Sequence, residues 1–132
     1  QAPAPSAPAA SSGRGASAVA AAKTFLGVPY VWGGESYNGV DCSGLVMLSY
    51  RQVGVSLYHS SRVQYGQGTK VPLSQMQPGD LIFWSKNGTQ PGIYHVAMYV
   101  GDGQMIEAPN FNMVVRITPV RYSKIMPYAV RP

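Results

Sequence analysis

The chain has 132 residues, 45% of them hydrophobic, which suits one domain with one core. Ten Lys and Arg against five acids give a net charge of +5, a balance that favours an anionic partner. The cations are scattered from Arg14 to Arg131 with no basic helix or nucleic-acid motif, no apolar run approaches the ~20 residues of a membrane span, and the single cysteine excludes an internal disulfide and any site needing two thiolates.

In chain order, residues 1–13 are almost all Ala, Pro, Ser and Gly, without apolar periodicity and without charge until Arg14. They read as an extended, solvated linker, taken as residues 1–15, with one folded unit over residues 16–132. Residues 16–26 are alanine-rich and run into Gly27 with Pro29 beyond, the pattern of a helix with a glycine stop. A loop follows through Tyr30-Val31-Trp32-Gly33-Gly34 to Val40. Asp41 is placed to cap the next helix, which carries Leu45, Val46, Leu48 and Val53 on one side and stops at Gly54. Residues 60–65 suit a short third helix. Gln77-Pro78-Gly79-Asp80 has the chemistry of a turn, with Pro second and Gly third. Strand-like runs come after it, over residues 81–84, 95–100, 104–108, 114–118 and 125–130. Helices first and an antiparallel sheet after predict an α+β domain.

Cys42 opens the second helix. A helix N-terminus carries partial positive charge and unpaired N–H groups, which favour thiolate over thiol and can receive an oxyanion. Cys42 therefore reads either as a nucleophile or as a small core residue on an apolar helix face. A thiolate nucleophile needs an imidazole to hold and return the proton. His95 opens a strand and is the candidate base, since strands hold side chains rigidly; His59 lies in the polar run Tyr58-His59-Ser60-Ser61 and at most lines a cleft. Glu107 is the only acid on the strand after His95, and is the candidate for fixing the imidazole tautomer.

Register decides whether Glu107 can reach His95. With a two-residue loop, Asp102-Gly103, Met98 faces Glu107 and the carboxylate points away from His95. With a three-residue loop, Gly101-Asp102-Gly103, and a bulge at Gly103, Val100 faces Gln104, Ala97 faces Glu107, and Glu107 shares the face of His95. The pairing requires the second register. A two-residue turn with no compensating bulge excludes it.

Five stretches in this order resemble the NlpC-type family of bacterial cell-wall cysteine peptidases, distant relatives of papain: Tyr30-Val31-Trp32-Gly33-Gly34, Asp41-Cys42-Ser43-Gly44-Leu45, Gln77-Pro78-Gly79-Asp80-Leu81-Ile82-Phe83, His95-Val96-Ala97-Met98-Tyr99-Val100-Gly101 and Met105-Ile106-Glu107-Ala108-Pro109. The resemblance covers essentially everything after the linker. It implies a central antiparallel sheet of five or six strands flanked by helices, with the cysteine helix packed on the sheet. It implies peptidoglycan as substrate, cut in the stem peptide between D-γ-glutamate and meso-diaminopimelate. Carried onto this chain, Cys42 is the nucleophile, His95 the base and Glu107 the third residue, where many members have histidine. The acid at that position resembles an actinobacterial branch, as does the closing run Pro127-Tyr128-Ala129-Val130-Arg131.

Tyr30 matches a family tyrosine near the cysteine and is expected to join the Cys42 backbone N–H in the oxyanion hole. Asp41 and Ser43 match positions that hold the N-terminal side of the substrate, and Trp32 and His59 are placed with them as substrate-binding residues. Gly33 and Gly34 are expected to permit close backbone approach in the cleft wall. No metal or other cofactor is needed. The resemblance implies a secreted monomer acting in wall remodelling or daughter-cell separation, with a signal peptide upstream of this segment and further wall hydrolases or regulators as possible partners. The alternatives are a wall amidase or acyl transferase on the same plan, or a non-catalytic wall-binding module.

Overall fold

The computed structural model describes residues 8–132. The first helix, α1 (Pro8–Lys23), begins earlier than the alanine pattern suggests and reaches into the segment expected to be linker. Pro is tolerated at the first helical position, and the alanines after it cost nothing in side-chain entropy. The part of the linker expectation that falls on residues 1–7 lies outside the described residues. The helix ends at Lys23 rather than Leu26, and Gly27, at φ 85°, turns the chain onward. Ala18, Val19 and Ala22 face the core, with Phe25 just beyond the helix.

A small hairpin, β1 (Glu35–Ser36) and β2 (Gly39–Val40), leads into α2 (Cys42–Arg51). Asp41 caps α2 as expected, its carboxylate accepting from the Gly44 N–H at 2.7 Å. The chain turns out of α2 at Gly54, at φ 84°. Leu45, Val46 and Tyr50 of α2 are buried in the main core, and the Tyr50 hydroxyl donates to the Gly79 carbonyl at 2.5 Å. A short α3 (Ser61–Gln64) follows, capped by Ser60.

Six strands make the sheet: β3 (Thr69–Pro72), β4 (Leu81–Ser85), β5 (Ile93–Gly101), β6 (Gln104–Glu107), β7 (Arg116–Pro119) and β8 (Tyr128–Arg131), in the order β3-β8-β4-β5-β6-β7, every pair antiparallel. β4 is buried along its whole length because both faces of the sheet are covered. Leu81 and Phe83 meet the helices, while Ile82 and Trp84 join Ala97, Met105 and Val120 on the opposite face. The run expected at residues 114–118 is divided. Val115 exchanges backbone bonds with Gly27 and Val28, and only Arg116–Pro119 continues as β7. The final run is also shortened: Ile125 bridges to Trp84, the Met126 N–H reaches the Phe83 carbonyl, and Pro127, with no N–H to give, precedes β8.

The β5–β6 connection corrects the expected loop while keeping the expected register. The turn is two residues, Asp102 and Gly103, both at positive φ (55° and 73°), as a tight hairpin turn requires. Gly101, at φ 98°, faces Gln104, whereas Tyr99 faces Met105 and Met98 faces Ile106. A bulge at Val100–Gly101 therefore supplies the extra residue that Gly103 was expected to supply. Continued along the strands, this register sets Ala97 opposite Glu107, on the face that carries His95.

Candidate active site

Three elements converge on Cys42. It is the first residue of α2, partly exposed, with its helix start fixed by the Asp41 cap. His95 lies near the beginning of β5 and is 8% exposed. Glu107, the last residue of β6, is fully buried. His95 Nε2 and Glu107 Oε1 are 2.7 Å apart, so the imidazole donates from Nε2 and leaves Nδ1 for Cys42.

Two residues that the sequence did not single out hold the carboxylate. Arg116, directly opposite Glu107 in the β6–β7 ladder, donates from Nε and Nη2 to Oε2 at 3.1 and 3.0 Å. Arg121, in the coil after β7, donates from Nη1 to Oε2 and from Nη2 to Oε1, both at 2.8 Å. Burial disfavours the Glu107 charge, but the hydrogen bonds from Arg121 and His95 outweigh it and hold the carboxyl well below the usual range. Burial also disfavours a charged His95, yet its interactions with Cys42 and Glu107 raise it to about 9. These partners favour the imidazolium form and hold the ring in one orientation.

Trp84 pairs with His95 across β4 and β5, its ring 5.2 Å from the imidazole. Its indole N–H donates to the Arg121 carbonyl at 2.9 Å, tying the arginine to the same strand.

The other predicted residues surround this line. Tyr30 borders the cleft beside Cys42 and packs edge-on against Phe111 at 5.2 Å; burial, then the nearby Cys42 and Asp41, raise its hydroxyl above the ordinary value. Trp32 also borders the cleft and is 77% exposed. Asp41 does more than cap. Its Oδ2 accepts from the Gly33 N–H at 3.0 Å and its Oδ1 lies 2.7 Å from His59 Nε2. Ser43 is buried, with its hydroxyl 3.4 Å from Asp41. His59 bridges Asp41 to Glu35, 2.9 Å from Nδ1, and these carboxylates raise it against the opposing effect of burial. Gly33 borders the cleft, but a Cβ there would meet open space and its φ of 72° is what suits glycine, so the expected close approach is found only at Gly34, whose backbone lies against the Gly39 carbonyl and whose own carbonyl lies against the first turn of α2.

The cleft has two arms meeting at Cys42. One, about 570 Å³, is bordered by Asp41, Ser43, His59 and Arg62. The other, about 510 Å³, is bordered by His95, Trp84, Phe111, Arg121 and Lys124. Among the described residues no group of three or more His, Cys, Asp or Glu is arranged to hold a metal ion. Among the described residues, likewise, no helix is long and apolar enough to cross a membrane.

A model of the NlpC/P60 family matches residues 27–131, which takes in every residue of this site. The chain belongs to the NlpC/P60 family. It is similar to the peptidoglycan endopeptidase RipA of Mycobacterium tuberculosis, 45% identical over 119 residues, covering 80% of this chain and 24% of that protein. It is similar also to the gamma-D-glutamyl-L-lysine dipeptidyl-peptidase of Bacillus cereus, 41% identical over 98 residues, covering 74% of this chain and 29% of that protein. The chain thus spans about a quarter of the length of the curated relatives it matches. Among solved structures, the NlpC/p60 domain of the peptidoglycan hydrolase SagA superposes with a TM-score of 0.79 at 40% identity, covering 88% of this chain and 97% of that one. RipA mutated at a glutamate superposes with a TM-score of 0.83 at 38% identity, covering 93% of this chain and 64% of that one. The α+β architecture read from the sequence is the NlpC/P60 fold.

Proposed function

We propose that this NlpC/P60 domain is a peptidoglycan cysteine endopeptidase that cuts the stem peptide after D-γ-glutamate, before meso-diaminopimelate. The observation that carries the reading is the line from the partly exposed Cys42 through the buried His95 to the buried Glu107, with the carboxylate gripped by two arginines. A surface module that only binds a polymer has no need of a fully buried carboxylate aimed at an imidazole beside a thiol.

In this reading the Cys42 thiolate attacks the γ-glutamyl carbonyl. The oxyanion forms at the N-terminus of α2, with the Cys42 N–H and the Tyr30 hydroxyl as donors. His95, already protonated, passes its proton to the departing amine and then takes one from the water that releases the acyl group. Glu107 holds the imidazole orientation and stabilises its charge. Asp41, Ser43, His59 and Trp32 border the arm that receives the N-terminal part of the stem peptide.

The names of the relatives support the substrate class, and a gamma-D-glutamyl bond appears in one of them. The enzyme acts outside the membrane on the wall, as a monomer.

Digestion of purified disaccharide-peptides, read by mass spectrometry, tests the bond. The expected products are a fragment ending in γ-glutamate and one with a new free amine on diaminopimelate. A new amine elsewhere, as an amidase would leave, contradicts the assignment.

A further inference from the structure

The two arms of the cleft differ in charge, and His95 tells them apart. His95 borders only the second arm. Since the imidazolium must protonate the departing amine, the second arm receives the leaving group. The acyl arm carries mixed charge: Asp41 with His59 and Arg62. The leaving-group arm carries Arg121 and Lys124 and is bordered by no acid.

Lys124 sits there in an unusual way. Its φ is 66°, a left-handed conformation that side-chain-bearing residues other than Asn and Asp rarely adopt and that glycine adopts freely. Its carbonyl accepts from the Ser85 N–H at 3.0 Å, and the next residue, Ile125, bridges to Trp84. The backbone of Lys124 is therefore moored to β4, the strand that pairs with His95. Among the described residues its ammonium makes no ion pair, whereas the Arg121 guanidinium is committed to Glu107.

A stem peptide can present lysine or diaminopimelate at the leaving position. Diaminopimelate is lysine with one further carboxylate on the carbon bearing the ε-amine. We propose that Lys124, with Arg121 beside it, is a specificity-determining residue that selects a leaving group carrying that free carboxylate, over lysine and over the amidated form of diaminopimelate. The ammonium pairs with the carboxylate in the cleft. All three leaving groups share an α-carboxylate, but the lysine side chain ends in an ammonium alone, which places only a cation where diaminopimelate places its second carboxylate, in a field that is already positive. The proposal rests on the endopeptidase reading and adds to it the chemistry of the residue released.

The test compares kcat/KM on three disaccharide-tripeptides ending in meso-diaminopimelate, its amidated form or L-lysine, for wild type, Lys124→Gly and Lys124→Arg. Gly removes the cation and suits the backbone; Arg keeps the cation. The wild type is expected to favour the free carboxylate by about tenfold or more, the value of a charge-assisted contact. Lys124→Gly is expected to bring the ratio near one, through KM, and Lys124→Arg to retain it. Equal discrimination by wild type and Lys124→Gly, or none by wild type, overturns the proposal and leaves the endopeptidase reading standing. Failure of the wild type to cut any of the three overturns both.

Discussion

Replacing Glu107 with Gln is expected to lower kcat/KM at neutral pH on the order of 10²-fold or more while leaving the fold in place. Gln has nearly the same shape and can still accept from His95 Nε2. What it removes is the negative charge. In the native site that charge lies 2.7 Å from the imidazole and is shared with two arginines. Without it, His95 keeps the cost of burial and faces two uncompensated guanidinium groups, so its proton is lost more easily.

The pH profile separates this from a loss of positioning. His95 is raised to about 9 in the folded protein, so the imidazolium that protonates the leaving amine is present at neutral pH and is lost as pH rises through about 9. The alkaline limb of kcat/KM is expected there in the wild type. In Glu107→Gln it is expected to move to lower pH. The stability linkage has the same sign: a raised histidine contributes stability fully present below its unfolded value, near 6.5, and lost on passing upward through about 9. Glu107 is shifted the other way, so its contribution is present above the unfolded carboxyl value, near 4.5, and fades in acid. An unmoved alkaline limb in Glu107→Gln would show that the carboxylate orients the ring without charging it.

Gly44→Ala is expected to cost about 10²-fold in activity with a modest loss of stability, about 1–3 kcal/mol. The first turn of α2 packs so closely on the cleft wall that a Cβ at this position would lie 2.2 Å from the Gly34 carbonyl oxygen, 2.9 Å from Asp41 Oδ1 and 3.2 Å from His59 Nε2. The Gly34 carbonyl is itself held by the Asp41 N–H, so it cannot simply swing away. The helix start must shift instead, carrying Cys42 out of line with His95. Far-UV circular dichroism and thermal melting should report a folded protein, and steady-state kinetics the loss. Near-native kcat/KM in a folded variant would show that the position of Cys42 tolerates more slack than the site geometry implies.

The parts of the fold that the sequence announces are those with strong local chemistry. Asp41 is a cap with an amphipathic helix behind it, Gln77-Pro78-Gly79-Asp80 is a turn with Gly79 at φ 98°, and β4 and β5 are long apolar runs. The weaker elements have little pattern to read. β3 buries only Val71, and β1 and β2 are two residues each. The requirement for a bulge between β5 and β6 followed from where Glu107 had to point; its place did not. A positive φ at Gly101, Asp102 and Gly103 suits several turns equally.

The candidate site divides in the same way. Cys42 stands out as the single cysteine at a helix start, and His95 and Glu107 as a titratable residue and a charge on otherwise apolar strands. Arg116 becomes visible only once the β6–β7 register is known, and Arg121 reaches Glu107 from coil, where no periodicity points to it. Glu35, the second carboxylate on His59, lies in a hairpin too short to announce itself.

The central claim is that Cys42 is the nucleophile. Its most direct test is digestion of purified peptidoglycan by the wild type and by Cys42→Ala under identical conditions, with released muropeptides quantified by mass. The wild type is expected to release stem-peptide fragments and Cys42→Ala none above the enzyme-free control. Equal release by the two proteins would contradict the account.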